Sequence, residues 1–208
     1  MDELKFLAEI LGIKEVFLDE NYMDKARVLK LYEERIKNCT KCELHKSRTK
    51  FVFSSGNPYA RVVLIGEAPG YEEDKKGLPF VGKAGKLLTK ILEEINIDRE
   101  KDVYITNIIK CRPPNNRDPN NEEISTCEPY LKHQIRIIRP SLLVALGRYS
   151  GGLLSNKPYD RALKNRGKII ESIYKIPLLI TYHPAAALRN PSLELIIKSD
   201  LEKIKKFL

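Results

Sequence analysis

No run in this 208-residue chain is apolar for long enough to cross a membrane, and Met1 opens no segment with the charged-then-apolar pattern of a secretion signal. A cytoplasmic protein with no membrane partner is therefore expected. Internal repeats and low-complexity tracts are absent, which excludes solenoids and compositionally disordered arms. Glutamine is nearly missing, with Gln134 alone, while Lys, Glu and Ile abound, a balance that points towards heat stability. Cysteine is scarce too. Four cysteines in a chain without a secretion signal argue against disulfides.

What is present suits one globular domain. The 42% hydrophobic content supports a sizeable core. Lys and Arg (37) exceed Asp and Glu (28), giving a net charge of +9 that fits a polyanionic partner. The cysteines lie at Cys39, Cys42, Cys111 and Cys127, one short Cys-x2-Cys pair followed by two distant residues. Metal ligation is the better reading of that pattern, with an iron–sulfur cluster, a zinc ion and unligated thiols all open on spacing alone.

The stretch Arg61–Gly70 organises the rest. Val62–Ile65 is a continuous aliphatic run, as in a strand buried on both faces of a parallel sheet, and it breaks into Gly66-Glu67-Ala68-Pro69-Gly70. Before it, residues 3–18 and Asp24–Lys37 carry helical periodicity with a break at Asp19–Asn21. Leu44–Phe53 reads as a basic loop, and Ser54–Tyr59 as a turn. After it, Lys83–Ile95, Glu122–Ile138 and Ser192–Leu208 are expected helices. Val103–Thr106, Leu142–Leu146 and Leu178–Thr181 are expected strands. Strands alternating with helices predict an α/β fold, a central four-stranded parallel sheet flanked by helices on both faces.

Each expected strand ends in a polar or Gly-containing turn: Glu67, Asn107, Gly147-Arg148 and His183. Parallel strands bring those ends to one edge, where α/β proteins bind ligands. No Ser or Cys stands there as a nucleophile, and no Gly-Lys-Ser/Thr cradles a phosphate. Asn107 offers a donor and an acceptor in one plane, suited to a nucleobase edge, and Phe80 offers a stacking face. Arg112–Arg117 and Arg161–Lys168 are basic loops that would meet phosphates.

Gly66-Glu-Ala-Pro-Gly70, Pro79-Phe-Val-Gly82, Tyr104-Ile-Thr-Asn107 with Lys110-Cys-Arg-Pro-Pro114, His183-Pro-Ala-Ala186 and the four-cysteine spacing together resemble family 4 uracil-DNA glycosylases. The resemblance spans the chain from about Ile36 to the C-terminal helix. It implies a [4Fe-4S] cluster on Cys39, Cys42, Cys111 and Cys127, and a three-layer sandwich over residues 36–208. Residues 1–35 are then an N-terminal helical extension. It implies excision of uracil from single- or double-stranded DNA by a monomer that flips the base out of the stack.

On that reading Phe80 stacks on uracil, Asn107 accepts from N3–H and donates to O4, and neutral His183 donates to O2 as charge develops there. Gly66, Ala68, Pro69 and Gly70 shape the floor. The best-known superfamily branch has an aspartate at the position of Ala68, so the adjacent Glu67 is the candidate for positioning water. Bulk at Tyr71 or Glu73 would exclude the thymine methyl. Arg112, Arg117, Arg166 and Lys168 would hold DNA phosphates, and Leu188 with Arg189 would wedge into the vacated stack. Two rivals share these features: a glycosylase accepting other deaminated bases, and a non-catalytic nucleic-acid-binding protein with structural zinc. The tail Leu201–Leu208 loosely resembles a sliding-clamp-binding motif with Leu in place of its leading Gln, and fits better the buried stripe of a C-terminal helix.

Overall fold

The computed structural model describes residues 2–12 and 24–208. From the N-terminus come α1 (Asp2–Leu11), α2 (Lys25–Ile36), β1 (Ser55–Gly56), β2 (Val62–Gly66), α3 (Tyr71–Lys76), α4 (Lys83–Glu94) and β3 (Val103–Asn107). There follow α5 (Asn121–Ile138), β4 (Leu142–Leu146), α6 (Arg148–Ser155), β5 (Ile169–Glu171), β6 (Pro177–Thr181), α7 (Pro184–Arg189) and α8 (Ser192–Leu201).

Among the described residues the sheet has six strands in the order β1-β3-β2-β4-β6-β5. Its four central strands run parallel and are the four aliphatic runs seen in the sequence. The expected sheet was short by two antiparallel edges, β1 against β3 and β5 against β6. Strands of two and three residues carry too little side-chain alternation to be read from sequence. β1 also depends on Gly56, at φ +84°, where a Cβ would stand 2.2 Å from the Val103 carbonyl oxygen.

Alternation along each central strand feeds two cores. Val63, Ile65, Leu143, Ala145, Leu178 and Ile180 pack with buried residues of α2 and α5. Val62, Leu64, Val103, Ile105, Val144 and Leu179 pack on the other side with α4 and α8. Helices thus cover both faces, as expected for a three-layer α/β sandwich.

Several boundaries differ from the sequence expectation. Residues 184–189, read as a loop, form α7, with Pro184 at the first helical position where its missing N–H costs nothing. Residues 148–155 form α6 although they include Gly151 and Gly152, poor helix formers; a Cβ on Gly151 would sit 3.0 Å from Ile180, so close packing on β6 overrides propensity. The C-terminal helix ends at Leu201 and continues as a tighter 3₁₀ segment, Glu202–Phe207. Leu201 and Ile204 are fully buried and Phe207 packs on the same core, while Leu208, the last apolar position of the clamp-like tail, is 40% exposed.

The expected N-terminal extension shares the main core. Phe6, Ile10, Val28, Leu29, Tyr32 and Ile36 join the cluster that contains Val63 and Ile65, and the Tyr32 hydroxyl pairs with His133 Nδ1 at 2.7 Å. Residues 13–18 of the first expected helix and the break at Asp19–Asn21 lie outside the described residues.

Candidate active site

Pairing of Gly66 with Asn107 and of Leu146 with Thr181 levels the carboxyl ends of the four parallel strands. A cavity of about 510 Å³ opens there. Glu67 to Gly70 line it after β2, Asn107 at the end of β3, Gly147 and Arg148 after β4, and His183 after β6. The convergence expected from four polar strand ends is what the fold builds.

Asn107 is 2% exposed, and among the described residues its Oδ1 has no hydrogen-bond partner, a rare condition for a buried acceptor. Its main chain is fixed from behind. Fully buried Lys110 donates from Nζ to the Asn107 carbonyl (2.7 Å), to Thr106 Oγ1 (2.7 Å) and to Gln134 Oε1 (2.6 Å). Burial pushes the Lys110 ammonium down to about 7. Gly66 does not line the cavity itself. A Cβ there would stand 2.4 Å from Asn107 Oδ1 and 2.5 Å from Phe80 Cζ, so its hydrogen leaves room for both.

Phe80 lines the same cavity with its ring centroid 5.5 Å from that of His183 and 30° between planes. Its backbone is at φ +54°, a left-handed conformation that costs an aromatic residue on the order of 1–3 kcal/mol. Neighbours impose it. Glu73 Oε1 accepts from the main-chain N–H groups of Val81 (2.9 Å) and Gly82 (2.7 Å). Gly85 in α4 admits the Phe80 backbone, whose carbonyl would lie 2.0 Å from any Cβ there. Glu73, expected to exclude thymine by bulk, does line the cavity, but its carboxylate is committed to this loop. Tyr71 does not reach the cavity; it is 48% exposed, with Lys75 and Arg112 against its ring.

His183 precedes α7, and its Nδ1 accepts from the Ala185 N–H at 3.1 Å. That bond assigns the proton of the neutral ring to Nε2. Burial pushes the imidazolium down to about 4, with Glu73 opposing and Arg189 adding to the shift, so the ring is a neutral donor at pH 7. Glu67 behaves oppositely. Burial, with Asp118 beside it, pushes its carboxyl up to about 7 against the pull of Arg148, whose Nη2 donates to Asp118 Oδ2 at 2.6 Å. A carboxyl poised near neutrality suits proton transfer to or from water.

The expected DNA contacts divide. Arg117 and Arg189 line the cavity, and Leu188 is exposed on α7 beside it. Arg117 is also forked onto Glu123 at 2.9 and 2.6 Å, bracing the first turn of α5, where Asn120 and Glu123 form a capping box. Arg112 lies outside the cavity, bonded to Asn116 Oδ1 at 2.7 Å. Lys168 is exposed. Arg166 does not line the cavity: both carboxylate oxygens of buried Asp200 hold it, at 3.0 and 2.8 Å, and it lies over the ring of the cavity residue Tyr182. Sequence reading missed Asp118 and Tyr182 as cavity residues and named Arg148 only as a turn. Arg148 was detectable, since it follows a parallel strand's carboxyl end. Asp118 carries no local signal, because only the fold brings its loop opposite Glu67.

Cys39, Cys42, Cys111 and Cys127 line a second, small pocket under the turn that follows α2. Three donors point at its sulfurs, the Tyr130 hydroxyl (3.1 Å) and the Lys41 N–H (3.5 Å) at Cys39 and Arg48 Nη1 at Cys111 (3.2 Å). Burial raises the Cys42 and Cys111 thiols and pushes Cys127 up to about 12. Among the described residues no three Cys, His, Asp or Glu side chains converge tightly enough for a single metal ion.

A sheet with a parallel centre and helices on both faces, with a cavity at its carboxyl edge lined by an amide, an imidazole and a carboxyl, defines an α/β protein with a candidate ligand site at the strand ends. Residues 53–207 match the uracil DNA glycosylase superfamily. The chain is similar to the type-4 uracil-DNA glycosylase of Sulfurisphaera tokodaii, 47% identical over 86% of this chain and 84% of that one. The Thermotoga maritima type-4 enzyme is 45% identical over 88% and 96%. A type-5 uracil-DNA glycosylase of Pyrobaculum aerophilum is 28% identical over 62% and 63%. The chain belongs to the uracil DNA glycosylase superfamily and, within it, to the type-4 uracil-DNA glycosylases.

Proposed function

We propose that this protein hydrolyses the N-glycosidic bond of uracil in DNA, releasing the base and leaving an abasic site for repair. The unpartnered Oδ1 of Asn107, buried beside Phe80 in the strand-edge cavity, carries the assignment. A flipped uracil presents N3–H to that oxygen and O4 to the amide nitrogen, while Phe80 covers one face of the ring. As the glycosidic bond breaks, negative charge collects on uracil O2. The neutral His183 Nε2–H donates to it, an effect worth a few kcal/mol because the donor is already oriented by the Ala185 N–H. Glu67 holds water for attack on the oxocarbenium-like sugar and accepts its proton, a task matched by its carboxyl near 7. Arg117, Arg189 and the exposed Leu188 flank the mouth, where DNA phosphates and the gap in the stack would lie.

The four thiols fit a [4Fe-4S] cluster better than a zinc ion. They form an all-sulfur donor set around one pocket, and hydrogen bonds from Arg48, Tyr130 and the Lys41 N–H already reach two of the sulfurs. When bound, such a cluster supplies a cross-link between chain segments, since glycosidic hydrolysis transfers no electrons. Cys39 and Cys42 anchor the turn after α2, Cys127 anchors α5, and Cys111 leads into the loop that carries Arg112 and Arg117.

Incubation with single- and double-stranded oligonucleotides containing one uracil, followed by alkaline cleavage, tests the activity. Strand scission at uracil alone is expected. Equal scission at hypoxanthine or xanthine would favour the broader deaminated-base glycosylase, and none at any base would favour the non-catalytic binding protein. A yellow-brown solution with a broad band near about 400 nm is expected of the cluster, against a colourless zinc protein.

A further inference from the structure

Phe80 occupies a conformation that its own chemistry disfavours, so something must hold it there after each base leaves. Glu73 and Gly85 secure the peptides after Phe80 and the space around its backbone. The carbonyl of the strained residue is taken by Arg99. Arg99 sits outside the cavity, between α4 and β3, with a side chain only 15% exposed. Its Nη1 donates to the Phe80 carbonyl at 2.9 Å and to Thr89 Oγ1 at 2.8 Å. Its Nη2 donates to the Pro79 carbonyl and to Ser55 Oγ, both at 3.3 Å. Nε lies 3.2 Å from Glu100.

We propose that Arg99 is a positioning residue for base recognition, holding the Pro79 and Phe80 carbonyls so that the Phe80 ring is pre-set to stack on the flipped base. Two features separate this role from ordinary surface packing. The guanidinium reaches two consecutive carbonyls on the strained side of the loop, a planar fork that Lys cannot reproduce. Its supports, Ser55 in β1 and Thr89 in α4, come from two different elements, so the fork is itself fixed before DNA arrives. The Phe80 loop is thereby gripped from both sides by opposite charges: the Glu73 carboxylate on the N–H groups of Val81 and Gly82, and the Arg99 guanidinium on the carbonyls of Pro79 and Phe80. Pre-setting matters because a loop that relaxed between turnovers would have to be re-ordered by each substrate.

The inference rests on the reading of Phe80 as the stacking residue, and a double-mutant cycle separates the two. Arg99→Ala, Arg99→Lys, Phe80→Ala and the Arg99→Ala/Phe80→Ala pair are compared by kcat/KM on a uracil-containing single strand, by calorimetric affinity for free uracil, and by Tm. Arg99→Ala should lower both kcat/KM and uracil affinity about tenfold or more in the native background, and less than about threefold once Phe80 is gone. Arg99→Lys should recover part of the loss. Should Arg99→Ala fail to fold, Arg99→Lys replaces it in the cycle under the same criterion. An undiminished uracil affinity in the Arg99 variant, or an equal loss with and without Phe80, overturns the proposal. If Phe80→Ala itself keeps native activity, the stacking reading fails instead.

Discussion

Asn107 uses both faces of its amide, and base choice follows. Cytosine reverses the edge that uracil presents, with donors on N4 and an acceptor at N3. Buried groups left unpaired discriminate strongly, by roughly 10⁴-fold or more in sites of this kind. Asn107→Asp faces O4 with a carboxylate, so uracil excision should fall sharply and the ratio of cytosine to uracil cleavage should rise. Asn107→Ala should lose uracil excision without gaining that preference; both are read with paired oligonucleotides. Glu67 makes a prediction in pH. Its carboxyl is raised from 4.5 to about 7 in the folded chain. The protonated form is the one the fold favours, so its contribution to stability is fully present below about pH 4.5 and is lost as pH rises through about 7. Glu67→Gln should therefore raise Tm at pH 8 and leave it unchanged near pH 4.5. In the native protein kcat/KM should climb through about pH 7, and in Glu67→Gln that limb should flatten.

Elements decide where such residues meet. β2 ends in Gly66 because neither Asn107 nor Phe80 tolerates a Cβ between them. Gly66→Ala should reduce uracil excision at least about a hundredfold and lower Tm as well, since the change displaces Asn107 and Phe80, and Phe80 packs in the core with Leu64 and Leu88. The four parallel strands were legible because each is a short run of aliphatic, β-branched or aromatic residues, buried throughout apart from Pro177. α6 and α7 were not, because Gly151 and Gly152 in one and the loop-like His183-Pro184 start of the other argue locally against helix, and only packing reverses them.

At the scale of the molecule, the cysteine pocket joins the turn after α2 to α5 and to the loop ahead of Arg117. Cys127→Ala should bleach the band near about 400 nm, lower Tm and weaken DNA binding together, measured on one preparation; a colourless variant that keeps full stability and affinity would show that the cluster holds nothing in place. The tail is the other long-range tie. Ile204 is buried under α8, and Arg61 Nη1 donates to the Leu208 carbonyl at 3.1 Å. Deleting Lys206–Leu208 should destabilise the fold. Loss of sliding-clamp binding with Tm intact would instead assign the tail to a partner.

The sequence by itself determined the central strands, the polar residues at their carboxyl ends and the four sulfur donors, because a buried parallel strand needs a continuous apolar run and recognition of a base needs particular side-chain types. It also showed five motifs in order, enough to expect the family. Tertiary structure alone decided what each polar group is free to do. Arg166 and Glu73 read as site residues in one dimension, yet Asp200 takes the guanidinium of the first and two main-chain N–H groups take the carboxylate of the second. Arg99, Asp118 and Lys110 read as ordinary charges, yet the fold places Arg99 behind Phe80, Lys110 behind Asn107 and Asp118 beside Glu67. Hydrogen-bond partners far apart in sequence are set by packing, and that is the information a linear pattern does not contain.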